Sequence, residues 1–506
     1  MDYGLALLSG ALLALSFPRF GHPAFAWIAL VPLLVALCGW RRQPPLRAFR
    51  LGLISGLVYF VGTIYWTGAV LRTFGGLAAP VATLAMLLLA SYLALFPAFT
   101  ALITARLVRH GGGRALFLMP AAWVSTEFLR GYLFGGFPWV PLGNSQVTVL
   151  PVAQLASLFG VYGVSALVAF VNAALAYALL SRGRGRAVAL AVAGGVLALA
   201  GAWGAQRMAD GSLTREGMPM RVGLLQANIA QEDKWDPREA RRIFTTYLAM
   251  TRDAVTRGAE FVIWPESSTP FMFEEDAAGE AAVRDLAREV RVPILFGSDQ
   301  VDRTGTAIRL YNAAFLVTPE GDTAAVYRKM HLVPFGEYIP FKAWLYFVSP
   351  LVERFADFAP GTSMVMLPVG AHLVNTAICY EVVYPSLIRS AVLGGSQLLT
   401  TITNDAWYGR SSAPYQHFEL ASMRAIEQGR YLVRAANTGI SGVVDPYGRV
   451  VRRSGIFEEV SLVEEARVLT SRTMYAAIGD AVAYASMALT LLALVSVRRV
   501  RLRKAR

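Results

Sequence analysis

Long apolar runs fill the chain before Met208 and return once more between Ala477 and Val497. A membrane-spanning helix needs about 20 mainly apolar residues, because the hydrocarbon core of a bilayer is about 30 Å thick. Hydrophobic residues make up 55% of this chain and charged residues 16%, whereas charged residues reach about 25% in ordinary soluble domains. The pattern therefore predicts an integral membrane protein with one large extramembrane domain between the apolar regions.

We predict a membrane bundle of about eight helical spans. A cleaved signal peptide is the alternative for the first span, but no positively charged region and no small-x-small cleavage site precede Pro18. Residues 130–161 hold too many prolines and glycines for one helix and are interpreted as a loop, which could be re-entrant. The spans are Gly4–Phe17, Pro23–Gly39, Leu51–Leu71, Leu77–Ala105, Ala115–Leu129, Tyr162–Leu180, Ala187–Ala205 and Ala477–Val497.

These spans divide the chain into four parts. Residues 1–210 hold spans one to seven, residues 218–468 form the extramembrane domain, residues 477–497 form the eighth span, and residues 498–506 form a basic tail. Arginines cluster after the second, fourth, sixth and eighth spans. Because positive residues collect on the cytoplasmic side, we expect cytoplasmic termini and an outward-facing domain. Topology signals and contacts with anionic lipid then explain the net charge of +13, so nucleic acid is not an expected partner.

The extramembrane domain alternates strand-like apolar runs with segments of helical spacing. This alternation predicts a layered α/β domain, although periodicity alone does not distinguish one α/β fold from another. The clearest strands are Phe261–Trp264, Pro293–Gly297 and Leu398–Thr403, and the clearest helices are Pro237–Arg257, Ala281–Val290 and Tyr415–Gln428.

Cys379 lies at the end of a β-branched run and just before a predicted helix that starts near Pro385. A strand that turns sharply into a helix leaves the residue at the bend close to backbone N–H groups, which favour a thiolate and can hold an oxyanion. The same turn carries Tyr380 and Glu381. The alternative is a small buried hydrophobic side chain, since free cysteine is among the most buried residue types.

Two further stretches favour a chemical role for Cys379. Glu266 ends the apolar run that begins at Phe261, while Lys329 precedes Glu337 in a loop rich in proline and glycine. A carboxylate, an ammonium and a thiol together suit acyl transfer through a thioester: the carboxylate takes the thiol proton, and the cation holds the developing negative charge.

In this order, the three motifs resemble the nitrilase superfamily of carbon–nitrogen hydrolases. The resemblance implies a triad of Glu266, Lys329 and Cys379, with Glu337 as a supporting glutamate. It also implies a four-layer αββα sandwich fold.

Metal ions and other cofactors are not expected. The five histidines form no H-x-x-x-H pair, and the chain has no C-x-x-C motif. No phosphate-binding glycine loop follows a strand, so no nucleotide is indicated. The two cysteines, Cys38 and Cys379, lie in different predicted parts of the topology, and no disulfide is expected between them.

An apolar segment in the extramembrane domain suggests a lipid substrate. Residues 335–352 include Trp344 and several other aromatic side chains that suit the headgroup region of a membrane. The alternative is a core helix of the domain.

Over its full length the chain resembles the apolipoprotein N-acyltransferase family. The resemblance covers the span count, the inserted nitrilase-like domain and local motifs, without departure at a position that carries chemistry. These motifs are Gly136-Phe-Pro-Trp139, Gln226-Ala-Asn228, Lys234-Trp235-Asp236, Trp264-Pro-Glu266, Tyr311-Asn312, Tyr327-Arg-Lys329, Pro334-Phe-Gly-Glu337, Ile378-Cys-Tyr-Glu381, Asn404-Asp-Ala-Trp407 and Asn437-Thr-Gly439.

The resemblance implies a multi-pass protein of the bacterial inner membrane with a periplasmic catalytic domain. Cys379 would accept an acyl chain from a phospholipid and pass it to the α-amine of a diacylglyceryl-cysteine on an apolipoprotein. Lys329 and a backbone N–H near Tyr380 would hold the oxyanion. Glu337 would orient Lys329 or Glu266.

Further residues are assigned to substrate or support. Glu381 would guide the amine or only complement a helix dipole. The expected substrate-binding residues are Trp235, Asn312 and Trp344. Two other functions fit the same motifs: a membrane-tethered amidase that uses water as its acceptor, and a non-catalytic scaffold.

Overall fold

The computed structural model describes residues 1–39, 43–304, 308–338 and 357–504. The chain forms two compact units. The first comprises Met1–Arg72, Leu77–Asp210 and Ala477–Arg506, and the second comprises Thr73–Gly76 and Gly211–Ala476. Most of the predicted lipid-contact segment, including Trp344, lies outside the described residues.

The first unit is helical. In chain order its helices are α1 (Asp2–Ala14), α2 (Val31–Cys38), α3 (Pro45–Ile64), α4 (Trp66–Thr73), α5 (Ala79–Gly111), α6 (Met119–Arg130), α7 (Leu150–Ala153), α8 (Ala156–Leu180), α9 (Arg184–Asp210) and a last helix over Ala481–Lys504. Among them, α3 and α5 pack along each other.

Within the described ranges, four helices are long and apolar enough to cross a membrane: Pro45–Ile64, Ala79–Gly111, Ala156–Leu180 and Arg184–Thr214. Shorter apolar helices cover Asp2–Ala14, Pro23–Cys38 and Ala481–Val497. The prediction of eight spans is therefore not confirmed. The predicted fifth span shows why length matters, because α6 has 12 residues and rises only about 18 Å.

The second unit contains two six-stranded sheets in the part of the chain that the structure describes. Their orders are β12-β1-β2-β3-β4-β5 and β11-β10-β9-β8-β7-β6. The strands are β1 (Met218–Gln226), β2 (Phe261–Ile263), β3 (Ile294–Asp302), β4 (Arg309–Val317), β5 (Thr323–Arg328), β6 (Leu367–Val369), β7 (His372–Ile378), β8 (Leu398–Thr403), β9 (Leu432–Ala436), β10 (Gly442–Val444), β11 (Val450–Arg453) and β12 (Val460–Val468).

Each sheet has a parallel centre and antiparallel edges. The parallel pairs are β1–β2 and β2–β3 in the first sheet and β7–β8 and β8–β9 in the second. The helices that accompany the strands are α10 (Ala240–Thr256), α11 (Ala277–Val290), α12 (Pro385–Leu393), α13 (Ala413–Gln428) and α14 (Met474–Ile478).

The two sheets pack face to face. Side chains alternate between the two faces of a strand, and on β1 Leu224 enters the core between the sheets while Leu225 packs on the outer face. Helices α10 and α11 cover that outer face of the first sheet, and α13 packs against β9 of the second. The predicted nitrilase-like α/β domain is confirmed in this two-sheet form.

Candidate active site

The predicted catalytic residues all lie just beyond the ends of strands. Lys329 directly follows β5, Cys379 directly follows β7, and Glu266 comes three residues after β2. β2 is fully buried, β7 is buried after its first two residues, and β5 is mostly half-buried with Tyr327 buried. Pairing within the sheets fixes the position at which each polar side chain emerges. The peptide N–H of Asn404, just after β8, donates to Glu266 Oε2 at 2.8 Å and links the two sheets at this point.

Lys329 is held between two carboxylates. Its Nζ lies 3.2 Å from Glu266 Oε1 and 2.8 Å from Glu337 Oε1. Asn312 Nδ2 donates to the same two oxygens, at 2.8 Å each. All four side chains are buried. The geometry therefore brings the predicted lysine and both predicted glutamates together, with Asn312 between the glutamates.

The electrostatics of this cluster keep its central pair ionised. Burial alone would raise the pKa of Glu266, but Lys329 and the amide of Asn312 more than compensate, and the pKa is lowered. Burial alone would lower the pKa of Lys329, but Glu266 and Glu337 raise it. At neutral pH, Glu266 is thus a carboxylate that can accept a proton and Lys329 an ammonium that can stabilise an anion.

Cys379 is buried and has a left-handed backbone conformation, with φ 51°. Such a conformation is strained for a residue with a side chain and is found preferentially at functional sites. Burial is the main cause that raises the pKa of the thiol to about 12, and Glu266 raises it further, while Lys329 and Thr403 oppose the rise. The resting side chain is therefore a protonated thiol that interacts electrostatically with both members of the central pair.

Glu381 ties the cysteine turn to the lysine loop. Its Oε1 accepts from the Tyr327 hydroxyl at 2.8 Å and from the N–H groups of Met330 and His331 at 2.7 and 3.1 Å. Its Oε2 accepts from the N–H of Ile378 at 2.8 Å. The side chain is fully buried, and both its oxygens are used.

The remaining predicted site residues have different environments; they are the two tryptophans expected to contact lipid and Tyr380, which follows Cys379. Trp235 is half-exposed beside the buried Lys234, whereas Trp344 lies outside the described residues. Tyr380 is buried, with its ring edge-on to Tyr384.

Sequence reasoning missed a buried network behind Cys379. His417 contacts the Cys379 carbonyl through Nε2 at 3.1 Å and Asp405 through Nδ1 at 3.0 Å. Arg434 donates to Asp405 at 2.9 Å, and the pKa of Asp405 is lowered to about 2 because Arg434 and His417 outweigh its burial. The motif Asn404-Asp-Ala-Trp407 was the one sequence signal that pointed to Asp405 in this network. No local pattern in the sequence predicts that His417 lies beside Asp405.

This network also bears on metal binding. Ligand atoms of Cys379, Asp405 and His417 lie within 4.8 Å of one another, a spacing that a metal ion can bridge. Both ring nitrogens of His417 are already engaged, however, and the Arg434 guanidinium occupies the place a cation would need beside Asp405. The donor set fits an internal hydrogen-bond network better than it fits a metal.

Comparison with known families gives two matches. Residues 9–174 match the apolipoprotein N-acyltransferase N-terminal domain, and residues 221–474 match the carbon-nitrogen hydrolase family. The second match contains the whole candidate site.

Individual proteins resemble the chain over nearly its full length. Apolipoprotein N-acyltransferase of Geobacter metallireducens is 40% identical over 496 residues, covering 96% of this chain and 93% of its own. That of Methylococcus capsulatus is 37% identical over 484 residues, covering 94% and 92%. Among solved structures, an amidase from Nesterenkonia sp. is 21% identical and covers 53% of this chain and 95% of its own, with a TM-score of 0.39.

Proposed function

The chain belongs to the apolipoprotein N-acyltransferase family, and from that premise we propose that it transfers an acyl chain from a phospholipid, through a thioester on Cys379, to the N-terminal amine of a diacylated apolipoprotein. The observation that carries this proposal is the buried Glu266–Lys329 pair, which acts electrostatically on a thiol held at a strained turn.

In the first step, Glu266 takes the thiol proton and the sulfur of Cys379 attacks the acyl ester carbon. Lys329 and an N–H near Tyr380 stabilise the oxyanion. When the tetrahedral intermediate collapses, the ester C–O bond breaks and the proton on Glu266 passes to the departing oxygen. A lysophospholipid leaves, and the acyl chain stays on sulfur.

In the second step, a neutral α-amine attacks the thioester carbon. The C–S bond breaks, the amine nitrogen gives up a proton to Glu266, and that proton returns to the sulfur of Cys379. The products are an amide on the apolipoprotein and the free thiol, so the enzyme is ready for another phospholipid.

The supporting residues act mainly on the position of the central pair. Glu337 touches Lys329 at 2.8 Å and also accepts from the N–H of Val333, so it orients the ammonium. Asn312, expected from the sequence to bind substrate, donates both its hydrogen bonds to glutamates. We assign it to holding those glutamates, whereas Trp235 and Trp344 keep their proposed contact with lipid chains.

The membrane placement follows from the charge pattern and the family. We place residues 1–210 and 477–497 in the bacterial inner membrane, the domain of residues 218–468 in the periplasm, and both termini and the basic tail in the cytoplasm. In this proposed arrangement, the thiol lies on the side of the membrane where the outer leaflet presents the polar ends of both lipid substrates.

The deciding experiment is intact-mass analysis of the purified protein after exposure to phospholipid alone. We expect one added acyl mass on the wild-type chain, slow release to water and rapid release to a diacylated peptide with a free N-terminal amine. Cys379→Ala should remove the added mass while membrane insertion persists. Rapid release to water would favour the tethered amidase, and acyl transfer by Cys379→Ala would defeat the assignment.

A further inference from the structure

The charges around Cys379 do not balance when only the predicted residues are counted. Glu266 and Glu337 carry two negative charges, and Lys329 carries one positive charge. Transfer of the thiol proton to Glu266 leaves this excess of one negative charge unchanged and moves the charge of Glu266 onto the buried sulfur of Cys379. Buried charge without a partner is costly, so formation of the thiolate calls for another cation.

A second buried lysine lies where such a cation is needed. Lys234 belongs to the loop between β1 and α10, and its side chain is buried. Its Nζ donates to the main-chain carbonyl of Glu266 at 3.0 Å. The charged groups that act on it come from three elements: Glu266 after β2, Asp299 on β3 and Cys379 after β7.

We infer that Lys234 is the second cation of the site, which balances the charge of the Cys379 thiolate and holds the main chain of the general base Glu266. The inference rests on the proposed function, because it concerns the step that forms the thioester. Lys234 acts through Glu266 and Cys379 and has no assigned contact with the reacting carbon, so it is a positioning residue.

Asp299 is placed to control the charge on Lys234. It lies directly opposite Asn312 in the antiparallel pair of β3 and β4, and directly opposite residues share a face of the sheet. Asn312 faces the glutamates, so Asp299 faces the site as well. Its Oδ1 is buried and has no hydrogen-bond partner among the described residues. The carboxylate thus favours the charged form of Lys234 across the site without forming a close ion pair.

The protonation states give the inference a pH signature. Burial lowers the pKa of Lys234 to about 8 against the opposing effect of Glu266 and Asp299, and burial raises the pKa of Asp299 to about 7. As the pH rises through about 8, Lys234 loses its charge. Thioester formation should then slow, although ionisation of a thiol alone would make the reaction faster at higher pH.

The test is single-turnover thioester formation from phospholipid by full-length protein between pH 6 and pH 10. Lys234→Met keeps the length and removes the charge, so we expect formation to slow at least about tenfold at pH 7 and the decline near pH 8 to vanish. Asp299→Asn should move that decline to lower pH, because the Asp299 carboxylate no longer stabilises the charged form of Lys234 and the pKa of Lys234 falls. Arg238→Gln is the matched control, since Arg238 is an exposed cation near Lys234 in sequence.

The outcomes separate the inference from the proposed function. A wild-type protein that forms no thioester would defeat the proposed function. A Lys234→Met protein with the wild-type rate and pH profile would defeat only the inference. If circular dichroism shows that Lys234→Met does not fold, the Asp299→Asn variant decides. A rate of thioester formation that declines at the same pH as in the wild type would then overturn the inference.

Discussion

At the scale of single residues, Glu381 is a buried carboxyl group whose contacts join two segments of the candidate site. Burial raises its pKa, but four donors surround its two oxygens. Three of those donors belong to the segment of Tyr327 to His331 that carries Lys329, and the fourth is the N–H that precedes Cys379. The contacts therefore favour a role in aligning the lysine loop with the cysteine turn over a role in guiding the amine.

Replacement of Glu381 by glutamine tests this role. A glutamine has one acceptor oxygen and one donor group, so in either orientation at least one backbone N–H loses its acceptor. We expect a loss of about 1–3 kcal/mol in the free energy of unfolding, measured by denaturation of the detergent-solubilised protein, and a parallel loss of thioester formation. Tyr327→Phe removes only one donor and should cost less. Equal stability of Glu381→Gln and wild type would contradict the assignment.

At the scale of elements, the site depends on strand ends with unusual backbone conformations. Asn228, Ser267 and Cys379 follow the ends of β1, β2 and β7 and have positive φ, as does Phe335 in the loop between Lys329 and Glu337. β3 also runs so close to the Glu266 turn that a Cβ at Gly297 would lie 2.4 Å from the Ser267 nitrogen. Glycine at this position is what permits the close approach of the two elements.

A methyl group at this contact should displace Glu266, the proposed general base. For Gly297→Ala, we expect thioester formation to fall at least about a hundredfold, because a small misplacement of a catalytic group has an effect of that size. The matched control is Gly394→Ala, whose added Cβ would lie 3.3 Å from its nearest neighbour. Rates are compared in the single-turnover assay. Wild-type activity of Gly297→Ala would show that the Glu266 turn can shift without penalty.

The same elements show what the sequence could predict. Apolar runs ending in Glu266 and Cys379 predicted both strands and the residues that follow them, because the signal is local. The β3–β4 register that aligns Asp299 with Asn312 depends on pairing between strands, and no local pattern reveals it. His417 was missed for the same reason, since it reaches the Cys379 carbonyl from a helix 38 positions later in the chain.

At the scale of the whole molecule, helix length limited the prediction. Proline at Pro23 and Pro32 divides the predicted second span into a 3-10 turn, Pro23–Trp27, and the short helix α2. Hydropathy averages over such breaks, so it predicts apolar segments more reliably than it predicts continuous helices. The orientation of the spans across the membrane was predicted from the arginine pattern alone. Contacts within the chain do not reveal this orientation, so it is tested in cells.

Alkaline phosphatase fusions test the orientation, because this reporter is active only after export. A fusion joined after Ser212 should be active, since the positive-inside rule places the following domain outside. A fusion after Gly183, among arginines 182, 184 and 186, should be inactive, as should one after Arg506. Green fluorescent protein at the same junctions serves as the reciprocal control, because it fluoresces when retained in the cytoplasm. An active phosphatase after Gly183 or a fluorescent junction after Ser212 would reverse the topology and remove the thiol from the outer leaflet.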